Sequence, residues 1–550
     1  MFNNNKILAV IPAMSGEEKI PRKNTRLLGE KPLIAHTIDT LKESEYVDDI
    51  VVLTEDVDIA RISELYGVTP FRGSSGEEEA SFESQILEAM IQREKAAFDE
   101  YDIILIVQPN APLLSVNSLN VIIEKFDNPN IDSIISVKED RHLRWGFDAE
   151  NKRFFPIYSN RDDVNRLPPQ YIETGTILAT RRHFVNGESV LGLNIDLVEL
   201  SKKESIVVDT FEDLWLAEKY YNKKRVVIVV NAFDEIGLNH IRRSLAIASK
   251  LVVHDVIFVS NVNYPMGIEA IKENNYPIVT YDDSDEIFDV IDKLNPDFVI
   301  NDILDTKSEY ISKLRESGYF VINFEDLGPG VEYANLVFNS LSDYGLDLPN
   351  VYTGHEYYIL DDEFYFQPTK EIKENVNRVL IMFLGNDPHN LTEKAMQAIL
   401  SSGYSGSVDV LLGVGYPNKK EFEEKYEIFN NVAIYEDVRS MSELIHKADI
   451  VITSAGRAMY EICHIGVPCI VICEDNRQLT NSFANDKNGF INMGLADDVT
   501  LEDIRDKFSY LEDNFELRTS MNKKMLDVDL KNGFNNILSV VKENSDDFDF

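Results

Sequence analysis

The chain has 550 residues, 44% of them hydrophobic, and a formal net charge of −41. At roughly 150 residues per domain this length implies three or four lobes, each able to bury a core of its own. So acidic a protein would be repelled by phosphate backbones, which argues against a nucleic-acid partner; the charge speaks for solubility and says little about fold.

Met1–Lys6 lead straight into a strand, and no apolar run approaches the ~20 residues of a membrane span. A cytoplasmic protein without leader or membrane span is expected. Short β-rich runs follow at Lys6–Ile11, Ile50–Leu53, Ile103–Val107, Val226–Val230, Val256–Ser260, Phe298–Ile300, Arg378–Phe383, Val408–Leu412 and Ile450–Thr453. Helical patterns such as Ile241–Lys250 and Leu391–Ser401 lie between them. The alternation predicts an α/β protein with parallel sheets covered by helices on both faces. An amphipathic segment, Phe211–Tyr221, ends in the polar run Tyr220–Arg225 before a fresh strand, and a second polar stretch spans Gln367–Asn377. The predicted layout is therefore an α/β domain over 1–222 and two nucleotide-fold lobes over 225–370 and 375–540, with no internal repeat. Only the tail Asn544–Phe550 reads as a disordered acidic end. Cys463, Cys469 and Cys473 fall within one βαβ unit and read as buried free thiols, since a zinc site would want a fourth ligand and looser spacing.

In the first domain a strand opens into Ile11-Pro-Ala-Met-Ser-Gly-Glu-Glu-Lys-Ile-Pro-Arg-Lys-Asn24, then Leu28-Gly-Glu-Lys-Pro-Leu-Ile34. A strand followed by a loop with Gly and Lys is how α/β enzymes neutralise a nucleoside triphosphate. Further on come Gln108-Pro-Asn-Ala-Pro112, Ser136-Val137, Leu167-Pro-Pro-Gln-Tyr171 with Gly175, and Asp209-Thr-Phe-Glu-Asp-Leu214 with Ala217-Glu218. In this order, over about 220 residues, the set resembles the cytidylyltransferases that activate sialic and related nonulosonic acids. The resemblance implies attack of a sugar-acid anomeric hydroxyl on the α-phosphate of CTP, with Mg²⁺ neutralising charge and pyrophosphate leaving. It places Ala13, Lys19, Lys23, Asn24 and Gln108 at CTP or sugar, and Asp209 at the metal. It also implies a homodimer formed through this domain. The chain departs from the family at Met14, Glu17 and Glu18, where Arg, Ser and Lys are usual, at Val207, where an Asp is usual, and at Thr174, where an Asn is usual. Two readings stand: Lys19, Arg22 and Arg26 compensate, or the domain has given up CTP chemistry and binds sugar or organises an assembly.

The second half begins with Asp234-Glu-Ile-Gly-Leu-Asn-His-Ile-Arg-Arg243 between a strand and a helix. A neutral His240 there can act as a general base, or it can cap the helix or fill a lobe interface. Near the other end, Ser454-Ala-Gly-Arg-Ala-Met-Tyr-Glu461 lies between apolar runs, a strand–turn–helix unit that offers backbone N–H groups to phosphate. Glu461 within the helix can meet a ribose diol, or stand as a solvated carboxylate.

Further segments are Asn301-Asp302, Asn323–Gly330, Gly354 with Tyr357–Phe364, Phe383-Leu-Gly-Asn-Asp-Pro-His-Asn-Leu-Thr392, Gly413 and Asp475-Asn-Arg-Gln478. With Gly237, His240 and Arg243 they resemble, over about 310 residues, the UDP-sugar hydrolases of pseudaminic acid biosynthesis, which have the two-lobed GT-B architecture. Asn239 stands at the family's second Gly and Asp361 at a usual Arg. The resemblance implies cleavage of a UDP-2,4-diacetamido-trideoxyhexose at its anomeric carbon without metal or other cofactor. It gives His240 the attacking water. It gives the UDP to Gly385, Asn386, Asp387, Ser454, Gly456, Arg457, Glu461 and Gln478. His389 and His464 read as a polar-loop and a helix-face residue, and Arg141-His-Leu-Arg-Trp145 as a surface loop.

Because the two resemblances belong to one pathway, the leading expectation is a bifunctional enzyme acting on UDP-sugar and on CTP with a nonulosonic acid. The alternatives are a GT-B glycosyltransferase with a non-catalytic first domain, and a nucleotide-sugar-binding protein without turnover.

Overall fold

The structure, a computed structural model, describes residues 2–13, 19–71, 100–158, 161, 166–185, 189–232, 239–341, 345, 347–383, 385–413, 415–436, 438 and 440–545. Met14, Glu17, Glu18 and Gly237 lie outside them. The chain divides into two compact units, Met1–Lys223 and Lys224–Phe550.

The first unit is built on a seven-stranded sheet. Its spatial order is Ile195–Glu199, Ser133–Asp140, Gln170–Arg181, Ile103–Val107, Ile7–Pro12, Asp49–Leu53 and Thr69–Phe71. Ile7–Pro12 is buried throughout, as expected of a central strand covered on both faces. Helix Leu33–Glu43 lays Ile34, Ile38 and Leu41 on this sheet, the spacing of a single helical face. The sheet departs from the expected parallel pairing at one strand: Gln170–Arg181 runs antiparallel to both of its neighbours. The polar first half of that strand is mostly exposed, and only from Thr176 onward does it reach the core. A separate antiparallel hairpin pairs Trp145–Asp148 with Arg153–Pro156.

The second unit holds two fully parallel sheets. One runs Ile278–Tyr281, Asp255–Asn261, Arg225–Val230, Phe298–Asp302, Phe320–Phe324, Leu336–Asn339, Val351–Thr353. The other runs Val432–Tyr435, Ser407–Leu412, Arg378–Phe383, Ile450–Thr453, Cys469–Cys473, Phe490–Leu495. Numbered within its own lobe, each sheet begins in the order 3-2-1-4-5-6, so each reverses direction beside its first strand. Ligands of such sheets sit at that reversal, beyond the carboxyl ends of the strands. This is the two-lobed GT-B architecture. The last helix, Gly533–Asn544, buries Ile537, Val540 and Val541 in the core of the first lobe. The predicted lobe 375–540 assigned most of that helix to the second; its apolar face has its partners in Val226, Ile228 and Phe258 instead. All three cysteines are free and buried. No helix among the described residues is long and apolar enough to cross a membrane.

Candidate active sites

In the second unit, helix Asn239–Lys250 starts after the first strand and turns Ile241, Ala248 and the following Leu251 into the core. His240, Arg243 and Ser244, three and four positions apart, therefore share another face. All three are buried and all reach Asp302, the last residue of strand Phe298–Asp302. His240 Nδ1 and Arg243 Nη2 both bond to Asp302 Oδ1, while Arg243 Nε and Ser244 Oγ donate to Oδ2 at 2.9 and 3.2 Å. Burial alone would push the Asp302 carboxyl up; the Arg243 charge, the His240 ring and the bonds from both outweigh it and hold the group well below the ordinary carboxylate range. A carboxylate at Nδ1 fixes the tautomer that carries its proton there, so Nε2 bears the lone pair. Arg243 Nη1 also lies 3.6 Å from Glu325 Oε1. Glu325 is buried with a left-handed φ of 53°, and its carboxylate accepts from Ser340 N at 2.9 Å and Ser340 Oγ at 2.7 Å.

His240, Arg243 and Glu325 line a cleft of about 620 Å³ whose opposite wall is the second lobe: Asn386, Ser454–Ala458, Glu474, Asp475, Arg477 and Gln478. Ser454, Gly456 and Arg457 form the turn between strand Ile450–Thr453 and helix Ala458–Ile465, where unsatisfied N–H groups favour an anion. The Arg457 guanidinium lies 5.1 Å from the Tyr358 ring centre, and its Nη1 is buried without a hydrogen-bond partner among the described residues. Gln478 Oε1 accepts from Ala455 N at 3.2 Å and Glu474 N at 3.0 Å, clamping the ends of two adjacent strands. Arg477 crosses to the first lobe, with Nη1 3.2 Å from Asp305 Oδ1 and Nη2 on the Glu325 carbonyl.

Two predicted nucleotide contacts, Asp387 and Gly385, are placed differently. Asp387 is buried and does not line the cleft; its two carboxylate oxygens cap helix Leu391–Ser402, accepting from Leu391 N at 2.7 Å and Thr392 N at 2.8 Å. Gly385 is a backbone corner with φ 92°, pressed against Gly413, where any side chain would collide with it. Glu461 lies behind the lining, 8% exposed, with the Tyr358 hydroxyl donating to Oε1 at 3.4 Å. Burial pushes its carboxyl up, against the pull of Arg457 and Arg242. Conversely His389, read as a loop residue, lines the cleft and pairs with Asp497 at 3.1 Å. Asp302 was legible only as part of a matched segment, because its role depends on a helix some sixty positions earlier. Glu474 carried no motif at all.

In the first unit, Lys23 and Asn24 start a short 3-10 helix after Arg22, which has a left-handed φ of 56°. Lys23 Nζ lies 2.8 Å from Asp209 Oδ1, which also accepts from Asn110 Nδ2 at 3.0 Å. Asn110 Nδ2 bonds to the Val208 carbonyl at 2.9 Å as well, so it pins the segment that presents Asp209. Asn110 falls inside the quoted Gln108–Pro112 motif but was given no role. Ala13 is buried and its N–H donates to Leu53 O at 2.7 Å; Lys19 is exposed; the Gln108 backbone is fixed by Thr176 and Thr37. The side-chain oxygen of the buried Asn24 has no partner among the described residues. Asp209 is more than half exposed, and Val207 leaves it without a second carboxylate from that segment. No cluster of three His, Cys, Asp or Glu able to hold a metal occurs among the described residues. A Mg²⁺ ion needs only one or two carboxylates when substrate phosphates complete its shell, so Asp209 meets the minimum.

In the Arg141–Trp145 loop Arg141 is bonded to Glu139 and both His142 and Arg144 to Asp140, while the Arg144 carbonyl accepts from Ile157 N at 2.9 Å.

Residues 8–226 match the Cytidylyltransferase family and residues 385–537 the glycosyltransferase family 28 C-terminal domain. An uncharacterized protein of Methanocaldococcus jannaschii, MJ1062, is 28% identical over 276 residues; the match takes in 46% of this chain and 56% of that protein, little more than half its length. The pseudaminic acid cytidylyltransferase of Campylobacter jejuni serotype O:23/36 is 32% identical over 225 residues, 39% of this chain and 96% of that protein. The spore coat polysaccharide biosynthesis protein SpsG of Bacillus subtilis is 25% identical over 242 residues, 42% of this chain and 70% of that protein. Through its first unit the chain belongs to the cytidylyltransferase family, and behind that unit it carries a glycosyltransferase family 28 C-terminal domain.

Proposed function

We propose that this chain serves nonulosonic acid biosynthesis with two active sites, one releasing UDP from a UDP-2,4-diacetamido-trideoxyhexose and one joining CMP to a nonulosonic acid. The observation that carries the reading is the His240–Asp302–Arg243 cluster, set across a cleft from the Ser454–Arg457 turn. A base on one wall and an anion-binding turn on the other suit breakage of a glycosyl–diphosphate bond. Water attacks the anomeric carbon, His240 Nε2 takes a proton from it, and the C1–O bond breaks with its electrons passing to the β-phosphate oxygen. Asp302 and Arg243 hold the ring and offset the imidazolium charge. The N–H groups of Ser454 and Gly456 and the buried Arg457 guanidinium receive the departing diphosphate. Glu461 reaches the ribose diol by exchanging its long bond from Tyr358 for donors on the nucleotide. Asn386 and Gln478 shape the same wall.

In the first unit the anomeric hydroxyl oxygen of the sugar acid attacks the α-phosphorus of CTP and the bond to pyrophosphate breaks. Lys23 and Asn24 bind the triphosphate, with Lys19 at the loop exit and Gln108 at nucleotide or sugar. Asp209 would hold Mg²⁺, which when bound neutralises phosphate charge. Asn110 keeps the Asp209 carboxylate in place as Lys23 turns to the phosphates.

The match to a glycosyltransferase domain favours one second reading, transfer of the sugar from UDP to an acceptor hydroxyl, with His240 as the same base. One assay separates them. Purified protein is given UDP-2,4-diacetamido-trideoxyhexoses in one tube and CTP, Mg²⁺ and nonulosonic acids in another, with His240→Ala as control. UDP with free reducing sugar, lost in the variant, supports hydrolysis; UDP formed only when an acceptor is added supports transfer. Absence of UDP in both conditions defeats both. Pyrophosphate in the second tube, retained by His240→Ala, supports the cytidylyltransferase site.

A further inference from the structure

The cleft holds an acceptor that nothing above has used. Glu474 follows strand Cys469–Cys473 and lines the cleft. Its Oε2 accepts from Gln478 Nε2 at 2.8 Å, and its own N–H donates to Gln478 Oε1 at 3.0 Å, so the side chain is held in a closed ring of two hydrogen bonds. Its Oε1 is buried and has no hydrogen-bond partner among the described residues. A buried carboxylate oxygen left unpaired costs free energy unless a ligand or water supplies the donor.

What that donor belongs to follows from where the loop lies. Three residues on, Arg477 ties this loop to Asp305 and to the Glu325 carbonyl, and Glu325 in turn pairs with Arg243, which holds Asp302 and with it His240. The Glu474 loop is thus one part of the second lobe that abuts the cluster around the base; another is Tyr460, whose hydroxyl donates to the Ser340 carbonyl at 2.6 Å. The Glu474 loop faces the reacting end of a ligand, while the Ser454–Arg457 turn takes the diphosphate. A carboxylate there is repelled by phosphate oxygens, so a neutral N–H or O–H donor is what it accepts. We propose that Glu474 is a specificity residue that hydrogen-bonds a hydroxyl or acetamido N–H of the glycosyl group.

Burial, opposed by the Gln478 bond and aided by the charges of Asp387 and Asp475, pushes the Glu474 carboxyl up to about 7. A ligand donor at Oε1 would satisfy the one oxygen of this carboxyl that the loop leaves unpaired, and by doing so would favour the ionised form. This inference rests on the uridine-nucleotide reading of the cleft, and the test separates the two.

Binding of UDP and of UDP-2,4-diacetamido-2,4,6-trideoxyhexose is measured calorimetrically on the full chain in a His240→Ala background, so that the glycosyl ligand is not consumed. Glu474→Ala should weaken the glycosyl ligand roughly tenfold or more while leaving UDP within about twofold. Glu474→Gln, which keeps an acceptor oxygen, should retain part of the difference. Unchanged UDP affinity also reports that the variant is folded. An equal loss for both ligands, or no loss for the glycosyl ligand, overturns the assignment while leaving the cleft reading intact. Failure of the His240→Ala parent to bind either ligand overturns the cleft reading and this inference with it.

Discussion

Arg243 lies with Nε 2.9 Å from Asp302 Oδ2 and a second nitrogen on Oδ1, both groups fully buried, so two charges removed from water depend on each other. Asp302→Asn keeps the shape but removes the charge that orients the His240 proton and balances Arg243. UDP release should fall by roughly 10⁴-fold, as when the carboxylate behind a catalytic histidine is neutralised. Unfolding free energy should fall by about 3 kcal/mol, because the buried guanidinium keeps only Glu325, 3.6 Å away, as a counter-charge. The Asp302 carboxyl is held below its ordinary value in the folded chain, so its contribution is fully present above the unfolded value. It is lost as pH falls below about 4, toward the folded value. Urea titrations of both proteins at pH 7 and pH 3 should therefore show a smaller gap in acid; a gap that is constant or wider in acid contradicts the assignment.

Glu461 makes a second prediction. Its hydrogen bond from Tyr358, at 3.4 Å, is at the outer limit of the interaction, and burial already pushes the carboxyl up. A buried carboxylate so poorly satisfied gains from a diol. Glu461→Gln should weaken UDP about tenfold, whereas Tyr358→Phe, which removes only the long bonds to Glu461 and to the Arg457 carbonyl, both 3.4 Å, should shift UDP affinity by less than about twofold. Titration calorimetry with UDP distinguishes these outcomes, and Glu461→Gln binding like the parent would return Glu461 to a purely structural role.

Why the second unit could be read from sequence and much of the first could not is a matter of burial. Strands such as Arg378–Phe383 and Cys469–Cys473 are covered on both faces, so they stand out as unbroken apolar runs between helical patterns. Gln170–Arg181 is exposed through its polar first half, and hairpin strands Trp145–Asp148 and Arg153–Pro156 place aromatics in solvent, so neither carries a core signature. The site divides in the same way. The Ser454–Gly456 turn announces itself by its place between two apolar runs, whereas His240 stands out through the resemblance carried by Gly237, His240 and Arg243. Glu474, Asp302 and Asn110 matter through partners on other elements, which no local pattern encodes. Asp387 is a nucleotide contact only by the resemblance of the segment Phe383–Thr392; its two backbone bonds make it a helix cap.

Asn110 is a prediction that such reading missed. It is buried, and its amide holds both the Val208 carbonyl and the Asp209 carboxylate. Asn110→Ala should cost about 1–3 kcal/mol in thermal or chemical unfolding, the range for losing bonds to a backbone carbonyl and a charged group. Because Asp209 is then less well fixed, the Mg²⁺ concentration giving half-maximal pyrophosphate release should rise several-fold, roughly in line with one lost charged hydrogen bond. A variant destabilised to this extent but with an unshifted Mg²⁺ titration would confine Asn110 to folding.

The hairpin bears on assembly. Phe154 is 71% exposed, and Trp145 and Phe147 are each 55% exposed, with the Phe147 and Phe154 rings 5.0 Å apart on one face. Gly146 is required beneath Phe155, since a side chain there would strike its ring, so the aromatics are held outward by the hairpin's own packing. Contiguous exposed aromatics of this kind mark a contact surface, and pairing with a second copy of the first unit would cover them. Phe147→Asp with Phe154→Asp should convert a dimer to a monomer in sedimentation velocity. The substitutions are fully on the surface, so the melting temperature of the unit should shift little at protein concentrations where the parent is itself monomeric. If the parent sediments as a monomer at every concentration, or the double variant remains dimeric, the hairpin is not the dimer surface.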